Sequence, residues 1–161
     1  MIRSFKKGDI KEICEIYNYY ILNSTYTLEY DALSEEVFLK RIEGIMKEFP
    51  FFVYEENGEI LGYAYLSKLG ERKGYQISCD LSIYVKNGLQ RKNIGFLLLQ
   101  EAVKQAKEKK YENMFSIITD ENIASIKFHE KNGFVLCGHL KQCAIKFGRK
   151  LGVMYYQKSL L

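Results

Sequence analysis

From Tyr75 to Val85 apolar and polar residues alternate without a break, with Ile77, Cys79, Leu81, Ile83 and Val85 on one face and Gln76, Ser78, Asp80, Ser82 and Tyr84 on the other. A period of two marks a β-strand, whose successive side chains leave opposite faces. A mid-chain strand with a polar face is either an edge wetted by solvent or a strand whose polar face lines a site. After a loop over Lys86 to Asn93 the period changes, and Leu98, Leu99, Ala102, Val103 and Ala106 trace the buried side of a helix from about Ile94 to Lys110. At such a junction the free N–H groups of the first helical turn converge and the dipole is positive, so a phosphate or pyrophosphate is the natural guest. The junction reads Gln90-Arg91-Lys92-Asn93-Ile94-Gly95-Phe96. Arg91 and Lys92 add positive charge, and Asn93 and Gly95 tolerate the backbone angles of an anion-wrapping loop. By itself the stretch reads equally well as an ordinary capped helix with exposed basic residues.

The rest of the 161 residues continues as alternating strands and helices without linker, repeat or composition shift, so residues 1–161 read as a single α/β domain. Asp9 followed by Glu12 reads as a helix start, with Ile10, Ile13, Cys14, Tyr17, Tyr20 and Ile21 as the apolar face. A second helix follows Ser34, carries Phe38, Ile42, Ile45, Met46 and Phe49, and ends before Pro50. Phe51–Glu55 and Ile60–Leu66 flank Asn57-Gly58, the pair suited to a type I′ hairpin turn. Tyr111 to Thr119 reads as a strand, Asn122 to Asn132 as a helix stopped by Gly133, and Phe134–Leu140 and Val153–Leu160 as closing strands.

Composition excludes several classes. A surplus of 24 Lys and Arg over 20 Asp and Glu permits an anionic ligand but lacks the concentrated basic face of a nucleic-acid binder. The basic run Lys104, Lys107, Lys109, Lys110 falls at a helix end, where cations complement the dipole. No stretch approaches the roughly 20 apolar residues of a membrane span, and a signal-peptide core is missing at the start. Cys14, Cys79, Cys137 and Cys143 show no CxxC spacing, which fits reduced thiols in a cytoplasm. Cys137, His139 and Cys143 lack a fourth partner at zinc spacing, so no metal is expected. GxxxxGK[ST], GxGxxG after the first strand, HExxH, an EF-hand loop and a GxSxG elbow are all missing.

Two further segments fix the order of parts. Gln90-x-x-Asn93-x-Gly95 opens one helix, and Asn122-x-x-Ser125-Ile126-x-x-His129-Glu130-x-x-Gly133-Phe134 covers the next. With Asn23-Ser24-Thr25-Tyr26-Thr27-Leu28-Glu29, Ser82-Ile83-Tyr84-Val85 and Lys146-Phe147-Gly148-Arg149, the chain resembles the GNAT superfamily of N-acetyltransferases, and more narrowly the phosphinothricin and methionine sulfoximine N-acetyltransferases. The resemblance spans nearly the whole chain. It implies a mixed α/β fold, a mostly antiparallel twisted sheet of about seven strands flanked by about four helices and splayed at the acetyl-CoA strand. It implies acetyl-CoA as co-substrate, a small-molecule amine as acceptor, no metal and a homodimer.

The resemblance also assigns roles. Ile83, Tyr84 and Val85 would offer backbone groups to the pantetheine arm, as to an added strand. Gln90, Arg91, Lys92, Asn93, Ile94, Gly95 and Phe96 would cradle the pyrophosphate, and Asn122 and Lys131 would contact the far part of the cofactor. Glu29, Arg72, Tyr75, Leu81 and Ser82 fall at the acceptor site. Asp80 takes the place of the family's catalytic glutamate, and His129 that of the tyrosine that protonates the departing thiolate. A free amine is mostly protonated at neutral pH, so a carboxylate base is wanted. Asp80 is one methylene shorter, a withdrawal of about 1.5 Å that a water relay would cover. Cys79, on the apolar face, reads as core rather than as a nucleophile. The family's R-x-R and Tyr-Arg appear as Gly70-Glu71-Arg72 and Tyr75-Gln76, and its later tryptophan and aspartate as Lys150 and Gly152. Those departures touch the acceptor rather than the cofactor. A polyamine or protein amino group is therefore an alternative acceptor, and a non-catalytic acetyl-CoA sensor an alternative role.

Overall fold

The computed structural model describes residues 1–89 and 92–161. In chain order the elements are β1 (Ile2–Ser4), α1 (Ile10–Asn23), α2 (Glu35–Met46), β2 (Phe51–Glu56), β3 (Glu59–Lys68), β4 (Ser78–Val85), α3 (Ile94–Glu108), β5 (Asn113–Thr119), α4 (Ile123–Lys131), β6 (Val135–Lys146) and β7 (Arg149–Ser159). The strands form one sheet in the order β1-β2-β3-β4-β5-β7-β6. Only β4 and β5 run parallel; the other pairs are antiparallel. This is the mixed α/β architecture expected, with seven strands and four α-helices among the described residues.

Alternation along the strands gives the sheet two apolar faces. Phe52, Ala64, Leu66, Cys79 and Leu81 pack with Leu98, Leu99, Ala102 and Ala106 of α3. Phe51, Val53 and Tyr63 pack with Ile13, Cys14 and Ile16 of α1 and Phe38 and Ile42 of α2. A sheet covered on both faces needs apolar residues at every position of its central strands, and β3 is buried almost throughout. In the β2–β3 turn Asn57 and Gly58 have φ of 52° and 80°, the pair of positive angles that a type I′ turn demands.

Some expected local structure differs. The Asp9 side chain does not cap α1; it accepts from the Lys6 N–H at 2.8 Å and holds Arg3 through both oxygens. Glu12 is likewise drawn away from the helix start and accepts the Ile60 N–H of β3 at 2.9 Å. β4 begins at Ser78, not Tyr75, because Lys73–Ile77 form a 3₁₀ turn. The closing strands are longer than expected and meet at Phe147-Gly148, where φ is 51° and 73°. Most of β6 is exposed and its register shifts between Leu140 and Ala144, which removes the apolar alternation by which a strand is read. All four cysteines are free. Cys137 Sγ donates to Gln157 Oε1 at 3.3 Å and His139 pairs with Asp120 at 3.0 Å. Among the described residues, no helix is long and apolar enough to cross a membrane.

Candidate active site

The site begins where the sheet comes apart. β4 pairs with β3 from Cys79 through Val85, but with β5 only at Ser78, Cys79 and Asp80, opposite Asn113, Met114 and Phe115. Beyond Asp80 the two parallel strands separate, leaving the β5-facing edge of Leu81–Val85 without a strand partner. The Val85 carbonyl takes the Tyr20 hydroxyl; the other free groups need water or a ligand, and an extended arm with amides supplies what a missing strand would. A cavity of about 700 Å³ fills the cleft. Leu81, Ser82, Ile83, Tyr84 and Val85 form one wall, Ser116, Ile117 and Ile118 of β5 the other, and Asn93, Gly95, Phe96, Asn122, His129 and Lys131 line it from α3 and α4.

Most residues expected to hold a cofactor therefore meet in one cavity, though their means differ. Asn93 has φ 63° and its side chain makes no cap bond, so it does not block the N–H groups opening α3. Asn122, by contrast, caps α4 by accepting from the Ser125 N–H at 3.2 Å. Gly95 is helical, without an unusual angle, and a Cβ there would meet only ordinary contact, 3.7 Å from Phe128. The Ile94 side chain is buried in the core, which leaves only its backbone to face an anion. Lys92 is exposed and outside the cavity lining. Gln90 and Arg91 lie outside the described residues.

Asp80, the last β4 residue paired with β5, lies on the α1–α2 side of the sheet, and its Oδ1 is buried without a hydrogen-bond partner. Burial pushes its carboxyl up to about 7, against the opposing influence of the Leu81 N–H. It is not in the wall of the larger cavity. On this face it stands in register with Ser67 of β3 and Phe115 of β5, and two residues along β4 Ser82 stands opposite Tyr65. Cys79, on the other face, is fully buried and its thiol is pushed up to about 12 by burial, which leaves no thiolate for covalent catalysis.

His129 is in the wall of the larger cavity. Its Nδ1 lies 2.8 Å from the Ser125 carbonyl oxygen, which can only accept, so Nδ1 carries the proton. The ring is buried against Phe128 and Phe134, and that burial lowers its pKa. A neutral imidazole with its proton on Nδ1 presents Nε2 as an acceptor, so His129 lacks the proton a general acid must give.

The α1–α2 connection roofs the other side. Thr25 donates to Glu121 at 2.8 Å, Lys146 reaches the Thr27 carbonyl at 2.8 Å, and Glu29 is gripped by Arg41 at 2.7 and 3.0 Å and by the Tyr17 hydroxyl. These Arg41 bonds, ahead of burial, hold the Glu29 carboxyl below its usual range. A second cavity of about 410 Å³ lies between this roof and the sheet, lined by Tyr26, Thr27, Leu28, Glu29, Ile117, Thr119 and Val153. Arg72 and Tyr75 are outside both cavities: Arg72 is exposed before the 3₁₀ turn, and the Tyr75 ring lies over Gly70. Sequence reading missed Arg41, Thr119 and Ser116, which stand in an exposed helix face and an apolar strand with no motif to mark them.

A sheet splayed in this way, with a helix opening at the mouth of the splay, matches known proteins. Residues 2–154 match the acetyltransferase (GNAT) domain. The chain is 30% identical over 160 residues to an L-methionine sulfoximine/L-methionine sulfone acetyltransferase of Salmonella typhimurium, covering 99% of this chain and 94% of that one. An N-acetyltransferase from Staphylococcus aureus superposes with a TM-score of 0.97 at 34% identity, covering 100% and 98%. A phosphinothricin acetyltransferase from Sinorhizobium meliloti in complex with acetyl-CoA gives 0.94 at 31%, covering 99% and 87%. The chain belongs to the GNAT acetyltransferase family, and it is an N-acetyltransferase.

Proposed function

We propose that the protein transfers the acetyl group of acetyl-CoA directly to the amine of a small amino-acid-like acceptor, with Asp80 as general base in a ternary complex. The observation that carries this reading is a buried carboxyl at the last paired residue of the cleft, its Oδ1 without a hydrogen-bond partner among the described residues, pushed to about 7. A base of that strength is half ionised near neutrality, where it can both take a proton and release it. The cleft suits the cofactor: Leu81–Val85 offer an unpaired strand edge, the α3 start an uncapped anion site, and Asn122 and Lys131 the far wall. This reading also assigns Gln90 and Arg91 to the pyrophosphate. Acetyl-CoA brings the activated acyl group; the protein aligns it and removes the proton of the attacking nitrogen. Asp80, Ser82, Tyr65 and the second cavity share the opposite side of the sheet, which receives the amine. His129 holds position in the cleft as an acceptor. Two of the relatives named above are an L-methionine sulfoximine/L-methionine sulfone acetyltransferase and a phosphinothricin acetyltransferase, and an acceptor of that class in a cytoplasmic enzyme, working as a pair of copies, completes the proposal.

Thiol release from acetyl-CoA tests it, with phosphinothricin, methionine sulfoximine, methionine sulfone, spermidine and lysine peptides offered in turn. Turnover on the first three supports the reading. Turnover confined to spermidine or peptides overturns the acceptor class, and acetyl-CoA binding without turnover on any amine overturns the enzyme in favour of a sensor.

A further inference from the structure

Ser116 is 2% exposed and its hydroxyl has no hydrogen-bond partner among the described residues. A buried hydroxyl left alone is costly unless something absent completes it. Ser116 is the first β5 residue beyond the cleft's closed end, since Phe115 still pairs with Asp80. Its side chain leaves the sheet on the face opposite to Phe115, and the residue stands in the wall of the larger cavity with His129. Two other donors there are engaged, Tyr20 with the Val85 carbonyl and the Asn132 amide with the Phe128 carbonyl. His129 offers Nε2 only as an acceptor.

We propose that Ser116 is a catalytic residue whose hydroxyl donates a hydrogen bond to the thioester sulfur and holds it as the C–S bond breaks. The inference rests on the acetyl-CoA reading above. In the transfer the N–C bond forms, the C–S bond breaks with its electron pair passing to sulfur, and the amine proton passes to Asp80. Ser116 keeps its own proton. A hydrogen bond to a developing thiolate is stronger than one to a neutral thioester, so the donor favours the transition state over the ground state. No acid is then required of His129.

The test uses the whole protein with Ser116→Ala and Ser116→Cys. The ultraviolet absorbance of the thiolate reports the pKa of bound CoA, and titration gives Kd for CoA and acetyl-CoA. Tyr26, Tyr84, His129 and Lys131, which line the same cavity, act alike in each variant. The expected result is a bound thiol below free CoA in the wild type, raised by about one unit in Ser116→Ala. Acetyl-CoA affinity stays within about twofold and kcat falls about tenfold; Ser116→Cys, a weaker donor, lies between. Because the hydroxyl has no partner among the described residues, the Ala variant unfolds at the same temperature or higher. An unchanged thiol pKa in Ser116→Ala, or equal weakening of CoA and acetyl-CoA, places the hydroxyl on an amide of the arm and overturns the proposal. A wild type that binds no CoA overturns the function proposed above, and this inference with it.

Discussion

On the α3–α4 side of β4 the site is made chiefly of backbone: an unpaired strand edge from Leu81 to Val85 and a helix start that Asn93 leaves uncapped. On the α1–α2 side it is made of side chains: Asp80, Tyr65, the Glu29–Arg41–Tyr17 cluster and a roof held by Thr25 and Lys146. Backbone groups survive substitution, whereas a cluster of side chains is remade by each one. Cofactor chemistry therefore stays fixed in this architecture while the acceptor side is free to change. It is on that freer side that the chain departs from the family's arginine pattern, with one of those arginines, Arg72, exposed and outside both cavities.

The comparison breaks most decisively at Asp80. Replacement by Asn should lower kcat by about 10²- to 10⁴-fold with little change in acetyl-CoA affinity, measured by steady-state kinetics and calorimetry. The same variant should gain stability. The folded Asp80 carboxyl titrates at about 7, above its ordinary 3.8, so its ionisation disfavours the fold. That cost is nil below about pH 4, grows through the interval and is complete above about 7, amounting to on the order of 2–4 kcal/mol. Urea unfolding of wild type and Asp80→Asn on both sides of this window should show the gap opening with rising pH.

Gly152 adjoins Val153 of the second cavity's wall, while its own Cβ position faces the α3–α4 side with Met154 and Tyr156. A Cβ there would lie 2.2 Å from Asp120 Oδ2 and 2.8 Å from His139 Nε2. Gly152→Ala should cost about 1–3 kcal/mol of stability, read by thermal unfolding, and raise the amine KM more than the acetyl-CoA KM. Gly95→Asp tests the backbone side. The new side chain has room, with Phe128 at 3.7 Å. A carboxylate in the first turn favours the helix but repels an anionic guest, so acetyl-CoA affinity should fall about tenfold without loss of stability. The smallest effect is expected at Thr119, whose buried hydroxyl lacks a partner beside the second cavity. Thr119→Val should shift the amine KM about two- to fivefold and leave the acetyl-CoA KM unchanged.

How much could be read beforehand follows the same division. Alternation in Ile77–Val85 and the Asn57-Gly58 pair are local patterns, and they located the central strand and the hairpin. The alternation misplaced the start of β4, because Tyr75 and Gln76 keep the period while turning in 3₁₀ geometry. Glu12 could not be read because its partner, Ile60, is set by the tertiary fold. Nor could the proton on His129 Nδ1 or the solitary hydroxyls of Ser116 and Thr119, since neither a tautomer nor a missing partner leaves a trace in residue spacing. Lys146 is the extreme case: a lysine in a mostly exposed strand, itself 1% exposed, with its ammonium on the Thr27 carbonyl.

The most direct test is the pH dependence of kcat with acetyl-CoA and amine both saturating, for wild type and Asp80→Asn. The account predicts a wild-type rise with a midpoint near 7, no fall at higher pH from loss of a His129 acid, and no such rise in the variant. A profile flat through neutrality, or one shared by the two proteins, would contradict it.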